Sequence, residues 1–198
     1  LLVHNSIFNV YDKNLLISAG RLNATIKNNV FTDSDISLAK NDGLNVVESN
    51  EFHNCIVKAE DGVTFQYNKM YPGDQTYVYS IRPDNFAGTV NASNNYWGSD
   101  NPDFSVLIDK SRAPNGSVDY FPYYSDVALS TLIYKMVTIS EDTVWATPHP
   151  NQKVTILDGA TLTLSAPMSL DTVTMREGAQ VKSNLADQTG SVTDIRLN

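Results

Sequence analysis

Residues 23–31 read N-A-T-I-K-N-N-V-F, and the phrase returns as N-V-V-E-S-N-E-F at 45–52, T-F-Q-Y-N-K-M at 64–70 and T-V-N-A-S-N-N-Y at 89–96. A fainter copy, L-V-H-N-S-I-F, occupies residues 2–8. Aligned on Asn5, Asn29, Asn50, Asn68 and Asn94, the intervals are 24, 21, 18 and 26 residues. Two places after each asparagine stands a large apolar side chain: Ile7, Phe31, Phe52, Met70 or Tyr96. A short strand, an asparagine corner and a return after about twenty residues is the pattern of a solenoid whose coils are β-strands.

Stacked parallel strands lie about 4.8 Å apart, so equivalent residues of successive coils stand above one another. A corner must bend the chain without orphaning buried N–H and C=O groups. Asparagine suits it, because it tolerates left-handed backbone and its amide both donates and accepts. Side-chain direction has period two, which sends the five apolar residues into one interior column. Gly20, Gly43, Gly62 and Gly88 each precede a returning strand and mark a second bend with φ > 0. Between asparagine and glycine run further short strands at 15–18, 36–39, 55–58 and 77–81. Such coils give a three-faced parallel β-helix; an antiparallel sandwich with scattered asparagine turns is the alternative.

The longest excursion spans residues 71–88, where Tyr71-Pro72-Gly73-Asp74 and Arg82-Pro83-Asp84-Asn85 read as turns. Extra residues in a solenoid leave as loops on one side, often the side that binds. Tyr71, Tyr77 and Tyr79 are therefore the first candidates for ligand contact, although Tyr77 and Tyr79 also fit an ordinary strand around Val78.

Residues 94–102 read N-N-Y-W-G-S-D-N-P. Here the chain resembles the right-handed parallel β-helix family with pectate-lyase-like repeats, in which a final coil often ends in such an Asn-Tyr/Trp-Trp-Gly segment. The resemblance covers about the first 125 residues and implies a fold rather than an activity, since the family includes lyases, hydrolases, tailspikes and surface adhesins. A solenoid end exposes strand edges and an open core. Trp97 and Tyr96 suit a plug, with residues 119–124 folding back over them. A sugar-stacking platform is the other role for Trp97.

Beyond residue 124 the texture changes. V-T-I at 137–139 recurs as V-T-I at 154–156, V-T-M at 173–175 and V-T-D at 192–194, at intervals of 17, 19 and 19. Asp158-Gly159-Ala160 recurs as Glu177-Gly178-Ala179, and Leu162 and Leu164 align with Val181 and Ser183. These spacings predict three segments: 1–124, the C-terminal coils and cap of a parallel β-helix; 125–135, a junction; 136–198, the opening coils of a second, Thr-rich β solenoid. Hairpins of a β-sandwich are the alternative for the last segment, because Asp-Gly also marks hairpin turns.

The chain has 198 residues, enough for one large or two small domains. Its net charge is −8 with 14 dispersed Lys and Arg, which argues against nucleic acid and against anionic lipid. The single cysteine, Cys55, excludes an internal disulfide and a cysteine-rich metal site and reads as a buried small hydrophobe. No apolar run is long enough to span a membrane. The chain opens and closes inside a coil, which reads as a piece of something longer.

The search for chemistry predicts no catalytic residue, no metal site and no cofactor. The motifs that the β-helix family uses to cleave pectin do not occur, and His4, His53 and His149 lack partners close in sequence. Asp33 with Asp35 would lie beside His53-Asn54 at neighbouring corners, where solvated turn carboxylates are the plain reading and a cation or sugar site the alternative. The sequons at Asn23, Asn91 and Asn115 are weak signals. The functional expectation is a non-catalytic structural or adhesive segment of a larger extracellular surface protein, contacting polysaccharide or a host-surface glycan through Tyr71, Tyr77, Tyr79 and Trp97. The alternative is a non-catalytic end of a polysaccharide lyase, hydrolase or phage tailspike.

Overall fold

The structure is a computed structural model. It describes residues 2–9, 15–17, 24–38, 45–59, 63–73, 81–83, 89–109, 116–147, 152–166, 170–184 and 195–197. The chain is nearly all β, its parallel coils making about 7 turns of solenoid. It divides into two compact units, Leu1–Ile133 and Tyr134–Asn198.

In the first unit each early coil gives one strand to each of three parallel sheets. The first sheet has 6 strands: Leu2–His4, Ala24–Lys27, Asn45–Glu48, Val63–Gln66, Thr89–Asn91 and Ser117–Asp119. The second stacks Ile7–Asn9, Val30–Thr32, Glu51–His53 and Lys69–Tyr71. The third stacks Leu15–Ile17, Asp35–Leu38, Ile56–Ala59 and Ile81–Pro83. Pro83, expected in a turn, ends this last strand opposite Ala59. It is tolerated because the strand is the outermost of its sheet, where a missing N–H leaves no ladder bond broken.

Alternation along the inner strands buries every second side chain. Ile26, Val47 and Phe65 line the core from the first sheet, Phe31, Phe52 and Met70 from the second, Ile36 and Val57 from the third. Phe31 and Phe52 stack with centroids 5.0 Å apart and planes 7° from parallel, and Phe52 meets Phe65 at 5.3 Å. Burying aromatic surface of this kind is the main favourable term for such a coil.

The first corner is a two-residue device. Asn5, Asn28, Ser49, Tyr67 and Asn94 all have φ between 53° and 57°. After the last four of these comes a fully buried asparagine: Asn29, Asn50, Asn68 or Asn95. The repeat alignment thus holds at its centre and slips by one residue at both ends, where Ser6 and Asn95, not Asn5 and Asn94, occupy the ladder. The left-handed residue and the ladder amide are different residues.

Each ladder amide binds forward and back. Asn50 Oδ1 accepts from the backbone N–H of Asn29 at 2.9 Å and from its Nδ2 at 3.1 Å. Asn50 Nδ2 donates to the carbonyls of Ile26 and Glu48, 3.0 Å each, and to Asn68 Oδ1 at 3.0 Å. Asn68 repeats the pattern with Asn95 Oδ1. Every polar atom of a fully buried amide is thereby used, the condition for tolerating one in an apolar core.

The slip moves two core expectations. Ile7 is 74% exposed, and Tyr96 points outward in register with Lys69. Trp97, 1% exposed, takes the core position. It closes the stack with Phe104 at 5.6 Å, and Phe104 in turn stacks on Tyr120 at 3.8 Å and meets Phe121 and Tyr123. The helical turn Phe104–Leu107 is started by Asp103, whose carboxylate accepts from Ser105 N–H at 3.0 Å. Gly98 (φ 84°) passes so near Pro72 that any side chain there would collide with it.

The segment read as a junction starts as a hairpin, with Tyr123–Tyr124 antiparallel to Leu132–Ile133. The Asp126 carboxylate holds its loop, accepting from the N–H groups of Ser130 and Thr131 at 3.1 and 2.8 Å.

The second unit has two described sheets. One stacks Lys135–Ile139, Gln152–Ile156, Leu170–Met175 and Ile195–Leu197; the other stacks Thr143–Trp145, Thr161–Leu164 and Gln180–Ser183, all parallel. Val137, Val154 and Val173 stand in register as the repeat predicts. The fourth rung begins at Ile195 rather than Val192, since Val173 pairs with Ile195. Gly159 and Gly178 take φ of 73° and 71° at the turns between the sheets. The other predicted corner glycines, Gly20, Gly43, Gly62 and Gly88, lie outside the described residues.

Candidate functional site

The strand alternation that buries Phe52 and Met70 turns their neighbours outward on the second sheet of the first unit. Pairing places Glu51 beside Lys69, Lys69 beside Tyr96, and Tyr96 beside Tyr124, one unbroken column along the solenoid axis. His53 and Tyr71 form a second, shorter column next to it. All six side chains are half-buried.

Within this face the groups touch. The His53 and Tyr71 rings stack at 4.5 Å with planes 13° apart, and Tyr71 meets Tyr96 edge-on at 6.1 Å. Glu51 Oε1 lies 3.2 Å from Lys69 Nζ, and Glu51 Oε2 lies 3.5 Å from His53 Nε2. Burial raises the Tyr71 hydroxyl above its usual range and the Glu51 carboxylate adds to this, against the pull of Lys69. Burial likewise raises Tyr124, helped by Tyr67 and Asp126. These hydroxyls stay protonated at neutral pH and are available as donors. Tyr67, 42% exposed at a left-handed corner, flanks the column.

Of the tyrosines and tryptophan expected to bind, Tyr71 lies at the centre of this face. Tyr77 and Tyr79 lie outside the described residues. Trp97 is 1% exposed, so its ring has no face to offer a sugar; its place is in the core beneath Phe104. Glu51, Lys69, Tyr96, Tyr124 and Tyr67, the other members of this face, were not among the sequence candidates. Their signal was the repeat itself, since an alignment on Asn95 puts Tyr96 directly after Lys69 in the outward column.

At the adjoining corner Asn54 Nδ2 donates to Asp33 Oδ1 at 2.6 Å, so these two corners are neighbours as expected. The side chain of Asp35 lies outside the described ones. Among the described residues no group of 3 or more His, Cys, Asp or Glu is placed to hold a metal ion. No described helix is long and apolar enough to cross a membrane.

The fold therefore defines the class, a parallel β-solenoid protein. No protein-family profile matches the chain, and neither curated proteins nor solved structures give a match.

Proposed function

We propose that this chain is a non-catalytic structural and adhesive segment of a larger extracellular surface protein, displaying a face that holds polysaccharide or a host-surface glycan. The observation that carries the reading is the outward column of Glu51, Lys69, Tyr96 and Tyr124, with His53 and Tyr71 beside it. Half-buried aromatic rings flanked by charged groups on a rigid sheet suit a ligand that is flat on one side and polar at its edges. Two solenoid units with different coil lengths support a display role, because each added coil extends surface without adding a new fold. The resemblance of the 94–102 segment to pectate-lyase-like β-helices supports a surface-type member of that group.

Incubating the purified chain with immobilised neutral and acidic polysaccharides tests this. Retention without release of reducing ends or of ultraviolet-absorbing unsaturated products is the expected result. Turnover would replace the reading by that of a polysaccharide lyase or hydrolase, and absence of retention on every glycan would remove the adhesive part.

A further inference from the structure

The candidate face is graded along the solenoid axis. Its charged end holds Glu51 in contact with both Lys69 and His53. Its aromatic end holds Tyr96 and Tyr124, with Tyr71 and the exposed Tyr67 beside them. From Glu51 to Tyr124 is three rung spacings, about 14 Å, long enough for about three pyranose rings end to end. The geometry points to an uncharged glycan chain lying along this axis, a ring over Tyr96 and its hydroxyls donating to Glu51, with Glu51 setting selectivity against acidic sugars. The inference rests on the display-and-adhesion reading and narrows its ligand.

Other occupants fit less well. An acyl chain would strip water from Glu51 and Lys69 and return no hydrogen bonds. A uronic acid would bring its carboxylate towards Glu51, whose charge Lys69 already engages, on a chain of net charge −8. Neutral sugar hydroxyls have neither defect. They donate to the carboxylate, accept from the Lys69 ammonium and the tyrosine hydroxyls, and leave an apolar ring face for the aromatic end.

Calorimetric binding of the whole chain to two oligosaccharides of equal length, one of neutral hexoses and one of uronic acids, tests this. The neutral sugar should bind at least about tenfold more tightly, and Tyr96→Ala should weaken it by about tenfold while Tyr96→Phe retains it. Glu51→Gln should narrow the discrimination against the acidic sugar at least about threefold, a change that loss of fold would not produce. Thr25→Ala, on the first sheet, should change neither affinity. Equal or tighter binding of the acidic sugar, indifference to Tyr96→Ala, or undiminished discrimination in Glu51→Gln would each overturn the inference. Binding of the acidic sugar alone, or of neither sugar, would overturn the inference and leave the adhesive reading standing unless the immobilised panel also retains nothing.

Discussion

In the first unit the bend between the first and second sheets carries a buried amide; in the second unit the bends at 157–160 and 176–179 each carry an exposed glycine. Asn29, Asn50, Asn68 and Asn95 tie each coil to the next through side chain and backbone together. Gly159 only permits its turn: a side chain built there would meet nothing within 4 Å. Register in the second unit rests on Val154, Ile156 and Leu162 packing in alternation, with a side-chain tie between coils, Asp142 Oδ1 accepting from Thr161 N–H at 2.8 Å. A register shift between Gln152 and Lys153 falls in that unit. An amide ladder specifies which residue sits above which, while a glycine turn specifies only that the chain comes back.

The sharpest way to break this contrast is Asn50→Asp. The introduced carboxylate cannot donate to Ile26, Glu48 or Asn68, and it is charged among apolar neighbours. A loss of more than about 4 kcal/mol is expected at neutral pH. Because burial raises the folded-state pKa of the new carboxyl above its unfolded value, the loss should shrink as pH falls. Reactivity of the buried Cys55 thiol towards a disulfide reagent reports opening of the first unit and checks this.

Next in size, Phe52→Ala and Leu162→Ala probe the cores of the two units. Roughly 3–5 and 2–5 kcal/mol are expected, measured by urea unfolding. Comparable losses would place the difference between the units in their corners, not their cores. Gly159→Ala should cost only about 1 kcal/mol, from left-handed backbone strain alone. Gln152→Leu sharpens the comparison from the other side. Its Oε1 is buried and, among the described residues, without a partner, so its replacement should change stability by less than about 1 kcal/mol or raise it.

The smallest effect belongs to the hairpin. Burial pushes the Asp126 carboxyl up, but hydrogen bonds from Ser130 and Thr131 outweigh it and hold the group below its ordinary range. With a depressed folded-state pKa, its contribution is present above the unfolded value and fades as pH falls through the folded one. Protection of the Ser130 and Thr131 amides, measured against the intrinsic exchange rate at each pH, should therefore fall on acidification, and Asp126→Asn should remove that dependence.

Much of the fold was readable from the sequence, because Phe31, Phe52 and Met70 mark one column and the Val-Thr repeats mark another. What misled was the pair of adjacent asparagines. At 28–29 and 94–95 either residue satisfies the motif, and only the pairing of Asn68 with Asn95 shows which enters the ladder. The fourth Val-Thr copy misled for a similar reason. Residues 192–194 match by letter, whereas Ile195 and Leu197 supply the apolar alternation that pairing with Val173 and Met175 demands. The candidate face was only partly visible. Tyr71 stood out as a loop aromatic, but Glu51, His53 and Tyr96 come from other coils and meet it only once the register is known.

The asparagine ladder also has a direction. Asn50 and Asn68 each offer Oδ1 to the backbone N–H of the coil before and give an amide hydrogen to the side-chain oxygen of the next ladder asparagine. A coil that carries the ladder asparagine presents one bonding surface upward and its complement downward, so such coils share one kind of joint. Duplication or loss of a whole coil within a gene therefore leaves both joints chemically intact, while a change of a few residues inside the repeated strands breaks two. Length in the first unit is in this sense heritable in whole steps.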